Sequence, residues 1–260
     1  MSMSIELERC FLLHQRPYRE TSVIAELLTE HEGRVSMVCK GVRSAGKKAS
    51  SLRSTLQPFA LLHASWTGKS GLKSLRSAEV ISPAPWLHQS QLYAGLYLNE
   101  LLVRLFHSGE SHTHLFSRYQ TSISDLSGLA ASDTIAIEIS LRRFEARLLA
   151  TLGFELDFMR DAITGQRITS DGTYCFHSEY GFYRADLDDQ DTGQNVIPTD
   201  NPLPTIGQPL IAGHHLLAIQ KDDFHDKKVR QLAKKIMRLA LAPHLGGRPL
   251  KSRELYRRPE

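Results

Sequence analysis

From Arg9 to Ile81 the apolar positions fall in short runs, several of them alternating with polar ones and separated by turn-forming residues. The runs are 9–14 (RCFLLH), 22–29 (SVIAELLT), 34–41 (RVSMVCKG), 55–66 (TLQPFALLHASW) and 72–81 (LKSLRSAEVI). In the third, Val35, Met37 and Cys39 share one face, the signature of a half-buried strand. Pro17 is expected to break the chain after the first run, and Gly33 to supply the turn between the second and third. Five short strands in this space predict a small β-barrel of the OB-fold type.

The prolines of SPAPW (82–86) mark a boundary, and the apolar period then lengthens to that of a helix. Leu92, Leu96, Leu101, Leu102, Leu105 and Phe106 make one stripe, closed by Gly109. Leu115, Phe116, Tyr119, Ile123 and Leu126 make a second. Ile137, Leu141, Phe144, Leu148 and Leu152 make a third, with Ser132 or Asp133 as N-cap and Gly153 as the C-terminal stop. Residues 155–205 are weakly patterned, apart from a hairpin expected over 173–187 that turns near Gly181. Helical spacing returns at 213–220 and 224–246. The expected fold class is α+β and multidomain: a barrel over 1–81, a helical domain over 82–154 and an insertion over 155–208. The last part of the helical domain and a tail take up 209–260.

Net charge is only +4, but its distribution is uneven. Gly33 to Arg76 holds nine basic residues and no acid, Glu155 to Asp200 ten acids and three basic residues, and Lys227 to Arg258 eleven basic residues and one acid. Such segregation favours a polyanionic partner over a small neutral substrate. The N-terminus lacks the basic and apolar regions of a secretory signal, and no apolar run approaches a membrane span. Three widely spaced cysteines argue against a disulfide framework, so a reduced, cytoplasmic protein without membrane contact is expected.

Signatures of catalysis are missing. No phosphate-binding P-loop, dinucleotide fingerprint, nucleophile elbow or HExxH helix occurs. The pairs His112/His114 and His214/His215, and Cys175 with His177, lack the further ligands a zinc site needs. The acids of 186–191 lack the glycine and terminal glutamate of a calcium loop. No catalytic residue, cofactor or metal is therefore expected.

The basic set is Arg34, Lys40, Arg43, Lys47, Lys48, Arg53, Lys69, Lys73 and Arg76. On an OB-like barrel these residues would line a groove for phosphates, with Phe11, Tyr18, Phe59 and Trp66 as the rings available for base stacking. The segment 41–59, rich in Gly and Ser, reads as a flexible arm between the third and fourth strands, carrying charge rather than sequence readout. The helix at 224–241 has six basic residues around Val229, Leu232, Ile236 and Leu239, without an aromatic anchor for a membrane.

Six segments in order, FLLHQRPYRETSVIAELLTEHEGRVSMVCKGVRS, LQPF, LKSLRSAEV, LYAGLYLNELLVRL, LRRFEARLLATLGF and LGGRPLKSRELYRR, resemble the RecO family of bacterial recombinational DNA-repair proteins. The resemblance runs over nearly the whole chain. It implies an OB-fold, a helical domain and a small zinc-finger-like insertion. It also implies binding of single- and double-stranded DNA, annealing of complementary strands, and cooperation with RecR in loading RecA in the nucleoid. The acidic C-terminal tail of single-strand-binding protein is a further implied partner. Zinc-bearing members have four cysteines in the insertion, whereas only Cys175 stands here, so an insertion held by packing without metal is expected. The segment LRRFE matches the tail-binding site, which makes Arg142 the first candidate for the tail carboxylate and Arg143 the second. An RNA-binding translation factor and a metal-dependent nuclease are the alternative functions.

Overall fold

The computed structural model describes residues 4–44, 47–68, 71–112, 114–185 and 210–256. They form two compact units, Met1–Phe144 with Arg248–Glu260, and Glu145–Gly247.

The first unit is built on a closed five-stranded barrel: β1 (Ser4–Tyr18), β2 (Ser22–Thr29), β3 (Arg34–Cys39), β4 (Leu61–Thr67) and β5 (Lys73–Ser82), in the order β1-β2-β3-β5-β4. All pairs are antiparallel except β3 with β5, which closes the barrel through Met37↔Lys73 and Val38↔Ser74. Inward-facing Cys10, Leu12, Val35, Met37, Cys39 and Trp66 belong to its core. The alternation expected of β3 holds: Val35, Met37 and Cys39 are buried and their neighbours are half-buried.

Two local expectations need correction. β1 does not end before Pro17 but continues to Tyr18, with Pro17 opposite Val23. Beyond Leu12, β1 pairs with β2 alone, so this part of the strand has an unpaired side where a missing N–H costs nothing. Segment 41–59 is not a loose arm throughout, for helix α1 spans Lys47–Thr55. Leu52 packs on the barrel core and Leu56, one turn on, is fully buried in it. Two leucines at i, i+4 hold the helix across the barrel and override the low helical preference of the serines around them.

Helices α2 (Gln89–Leu105) and α3 (Leu115–Gly128) cover the outer side of β1. Because Cys10 and Leu12 face the barrel while Phe11 and Leu13 face the helices, residues 10–13 are all buried. Phe11 meets Phe116 and Tyr119 with ring centroids 5.1 Å apart in each case. Asn99 donates to the Leu13 carbonyl at 3.0 Å and accepts from the Tyr119 hydroxyl at 2.6 Å, so the buried polar groups here are paired. Gly95 brings α2 down onto the barrel; a Cβ there would lie 2.8 Å from the Phe59 ring. The 3-10 segment Lys251–Tyr256 returns to α2, where Glu100 accepts from the Lys251 and Ser252 backbone N–H groups and from the Ser252 hydroxyl.

Helix α4 (Thr134–Thr151) starts at Asp133, whose side chain accepts from the Ala136 N–H at 2.9 Å, and stops before Gly153 at φ 84°. Its residues up to Phe144 belong to the first unit and those from Glu145 to the second. The second unit contains β6 (Thr173–His177), β7 (Gly181–Arg184) and β8 (Ile211–Ala212) in a sheet ordered β7-β6-β8, with α5 (Gly213–Gln220) and α6 (Lys227–Leu241). The expected hairpin is present, with His177 opposite Gly181. On α6 the buried positions are Val229, Ala233, Ile236, Met237, Ala240 and Leu241. Leu239 is exposed and Leu232 half-buried, so the apolar stripe is rotated from the one the leucines alone indicate. Of the insertion, residues 186–208 lie outside the described part, the acids of 186–191 among them.

Candidate nucleic-acid interface

The basic candidates separate into two groups according to where β3 begins and ends. Arg34 opens the strand, where its guanidinium pairs with Glu26 and donates to the Phe106 carbonyl at 2.7 Å. Ser36 donates to the same Glu26 carboxylate at 2.7 Å. Both ionic side chains are largely covered, 16% and 14% exposed. Arg34 is thus a structural cation joining β2, β3 and the end of α2.

At the other end of β3 the exposed cations gather. Lys40, Arg43 and Arg53 are exposed. Arg53 directs Nε and Nη2 to the Val42 carbonyl at 3.2 and 3.1 Å, fixing the approach to α1. The parallel pairing of β3 with β5 brings Lys73 level with Met37, so the start of β5 lies beside this end of β3. There Lys73 donates to the Gly68 carbonyl at 3.1 Å, and exposed Arg76 to the Thr67 hydroxyl at 3.3 Å. Lys47 and Lys48 open α1, while their side chains and the whole of Lys69 lie outside the described part. Residues far apart in sequence thereby share one region of the barrel. The carbonyl contacts leave most of each guanidinium fork and its full charge for a phosphate.

Sequence reasoning missed the contribution of the β1–β2 turn. Arg16 and Arg19 are exposed, and Arg19 lies over the Tyr18 ring with Cζ 5.2 Å from its centroid. The Arg43 N–H donates to the Thr21 carbonyl at 2.9 Å, and Arg43 Nη1 to the Arg19 carbonyl at 3.3 Å. The turn is thus tied to the β3–α1 connection. Arg16 and Arg19 stand outside the acid-free block that draws attention in the sequence, and only the hairpin carries them to it. Of the four rings considered, Phe11, Phe59 and Trp66 are buried, at 3, 6 and 1% exposure, and Tyr18 alone reaches the surface.

On α4, Arg142 is buried and Arg143 exposed. In the second unit, a groove of about 500 Å³ lies between α6 and the β6–β7 hairpin, with Leu232, Ile236, Leu239 and Phe176 in its wall and Lys235 at its edge. Among the described residues no group of three metal-ligating side chains gathers, and no helix is long and apolar enough to cross a membrane.

The chain matches two family models, the recombination protein O N-terminal region over residues 3–84 and the recombination protein O C-terminal region over residues 90–200. It is 41% identical over 254 residues to a DNA repair protein RecO of Haemophilus influenzae, covering 98% of this chain and 97% of the relative. Identity to proteins of the same description is 41% over 250 residues in Hamiltonella defensa (96% of each chain) and 39% over 250 residues in Salmonella enteritidis (96% and 93%). Matched from end to end at this identity, with the barrel that its N-terminal pattern predicts, the chain belongs to the RecO family of DNA repair proteins.

Proposed function

We propose that the protein is a non-enzymatic recombination mediator that binds single- and double-stranded DNA through its barrel and anneals complementary strands. The observation that carries this reading is the convergence of Lys40, Arg43, Arg53, Lys73 and Arg76 beside the parallel β3–β5 pairing. On an OB-type barrel such a surface tracks phosphates without reading bases. Cations that neutralise two strands at once lower their mutual repulsion, which is what annealing requires. The kinship with DNA repair proteins ranks DNA above RNA as the polyanion.

Recruitment to coated strands would run through the acidic tail of single-strand-binding protein, with RecR and RecA acting downstream. A tail ending in a carboxylate needs a cation next to an apolar surface. Arg142 and Arg143 remain the candidates on α4, and exposure favours Arg143 for first contact. The α6 groove with Lys235 at its edge offers the same combination in the second unit. Titrating a labelled acidic peptide against the wild type, Arg142→Ala, Arg143→Ala and Lys235→Ala separates these sites.

The central test is a salt titration of single-strand binding together with annealing of coated strands. Each phosphate contact on a single strand contributes about −0.7 to the log–log slope, so a slope near zero refutes phosphate gripping. Time-dependent cleavage of labelled DNA in Mg²⁺ would instead favour a nuclease, and preference for RNA over DNA of equal length a translation factor.

A further inference from the structure

We infer that Tyr18, clamped by Arg19, is the platform on which the barrel stacks an unpaired base, so that this one ring separates single strands from duplex at a surface that binds both. The inference rests on the DNA-binding reading and adds to it the feature that charge alone cannot supply. Phosphates are present on either form of DNA, whereas a free base face exists only on a single strand.

Three observations meet at this ring. First, it is the surface ring of the barrel among those considered, since Phe11, Phe59 and Trp66 are enclosed. Second, one of its faces is already occupied by the Arg19 guanidinium, 5.2 Å from the centroid. A ring held in that way loses little further freedom when a base arrives on its other face. Arg19 keeps this position from a left-handed backbone, φ 52°, in the three-residue turn Arg19–Thr21 that joins β1 to β2. Such a conformation is costly for a residue with a side chain, and here two hydrogen bonds from Arg43 hold the turn, to the Arg19 and Thr21 carbonyls. Third, the same two contacts place Arg43 at the turn that follows the ring, while Arg16 and Arg19 flank it along the chain. A base on Tyr18 would therefore have cations on both sides for its own phosphates.

Trp86, 81% accessible, is more exposed than half-buried Tyr18 and is the obvious rival. It follows β5 in a stretch that carries no Lys or Arg between Arg76 and Arg104, and its ring neighbour is His88 at 5.9 Å. An aromatic without adjacent cations can stack a base but has nothing along the chain to hold the backbone that brings it.

The experiment uses the full chain and a single-stranded oligonucleotide carrying one 2-aminopurine, alone and annealed to its complement. Binding of wild type and of Tyr18→Phe should quench the probe in the single strand, because both keep the ring. Tyr18→Ala should abolish the quench and weaken single-strand binding about tenfold, leaving duplex affinity within about twofold. Equal losses on both DNA forms would overturn the platform, because Tyr18 would then act by supporting the fold. A quench that survives Tyr18→Ala and disappears in Trp86→Ala would move the platform to the rival ring and overturn it here. If wild type binds neither DNA form, the DNA-binding reading fails with it, an outcome distinct from the other two.

Discussion

The carboxylate of Asp161 accepts the backbone N–H of Arg184 at 2.6 Å, joining a turn to the end of a β-strand across 23 residues of sequence. Its other oxygen accepts the N–H groups of Ile163 and Thr164, each at 2.8 Å. Asp161 is 4% exposed, and its own N–H and that of Ala162 donate to the Gln166 and Phe182 carbonyls at 2.8 and 2.7 Å. The 161–166 turn and the β6–β7 hairpin are thus held by hydrogen bonds to one buried carboxylate as well as by packing, the bond to Arg184 running directly to β7. Asp161→Ala removes three charge-assisted bonds and should cost the second unit about 3 kcal/mol in denaturant unfolding. Asp161→Asn should be nearly as damaging, because its amide nitrogen must point a donor at another donor. A chelator should leave the melting temperature unchanged, since both oxygens already face N–H groups rather than a cation.

Arg34 and Arg43 look alike in the sequence and should behave oppositely. Arg34→Ala strands the largely covered Glu26 carboxylate and loses the bond to Phe106, lowering stability by about 2 kcal/mol. It should leave the salt dependence of DNA binding untouched. Arg43→Ala and Lys40→Ala should do the reverse, each reducing the single-strand slope by about 0.7 with DNA of any sequence weakened alike. Arg43→Ala also removes the guanidinium bond to the Arg19 carbonyl, leaving only the backbone bond to Thr21 on the β1–β2 turn, so its effect on single strands should exceed that of Lys40→Ala. A slope change in Arg34→Ala comparable to theirs would contradict the structural role.

That contrast shows what a linear reading reaches. Val35, Met37 and Cys39 declare β3 because a period of two survives in the residues themselves, and Asp133 and Gly153 bound α4 because caps act within a few residues. Helix α1 was hidden because its register depends on just Leu52 and Leu56, set among Lys and Ser whose preferences point elsewhere. The separation of Arg34 from the surface cations depends on Glu26 in the preceding strand and on Phe106, 72 positions away. The Tyr18–Arg19 pair is adjacent in sequence, yet nothing local says that Arg43 will arrive to hold it. Contacts within a turn or a strand leave a periodic trace, whereas those made by folding the barrel do not.

Glu100 makes the docking of the C-terminal segment sensitive to acid. Burial pulls its carboxyl upward, but bonds from the Ser252 hydroxyl and the Ser252 and Lys251 N–H groups outweigh this. With Arg104 nearby, they hold it below the usual carboxylate range. A carboxyl depressed in the folded state contributes fully above its unfolded value, and loses that contribution as pH falls through the depressed one. The segment 251–256 should therefore resist proteolysis at neutral pH and open in moderate acid. Glu100→Gln should open it at neutral pH as well and flatten the pH dependence. Equal protection of both proteins at every pH would show that Leu250, which is buried, holds the segment without the carboxylate.

The two thiols inside the barrel give a direct measure of its opening. Cys10 and Cys39 are fully buried in the barrel core on β1 and β3. Burial raises both to about 12, assisted at Cys10 by the negative charge of Glu8 and then by Cys39 itself. An ordinary thiol ionises near about 8.5, so at pH 8 a sizeable fraction is thiolate in the open chain and almost none in the barrel. A thiol reagent at that pH should leave the folded barrel unmodified and label both residues only as fast as the barrel opens. The same shift sets a sign for stability: the unfolded chain loses these protons first, so stability declines as pH rises from the usual thiol range towards 12. If DNA binds the folded barrel alone, as proposed, it should slow the labelling in proportion to its occupancy. Arg43→Ala should restore the rate at DNA concentrations that protect the wild type. Rapid labelling of the folded protein at pH 8 would mean that the thiols are reachable without opening, and would contradict their enclosure.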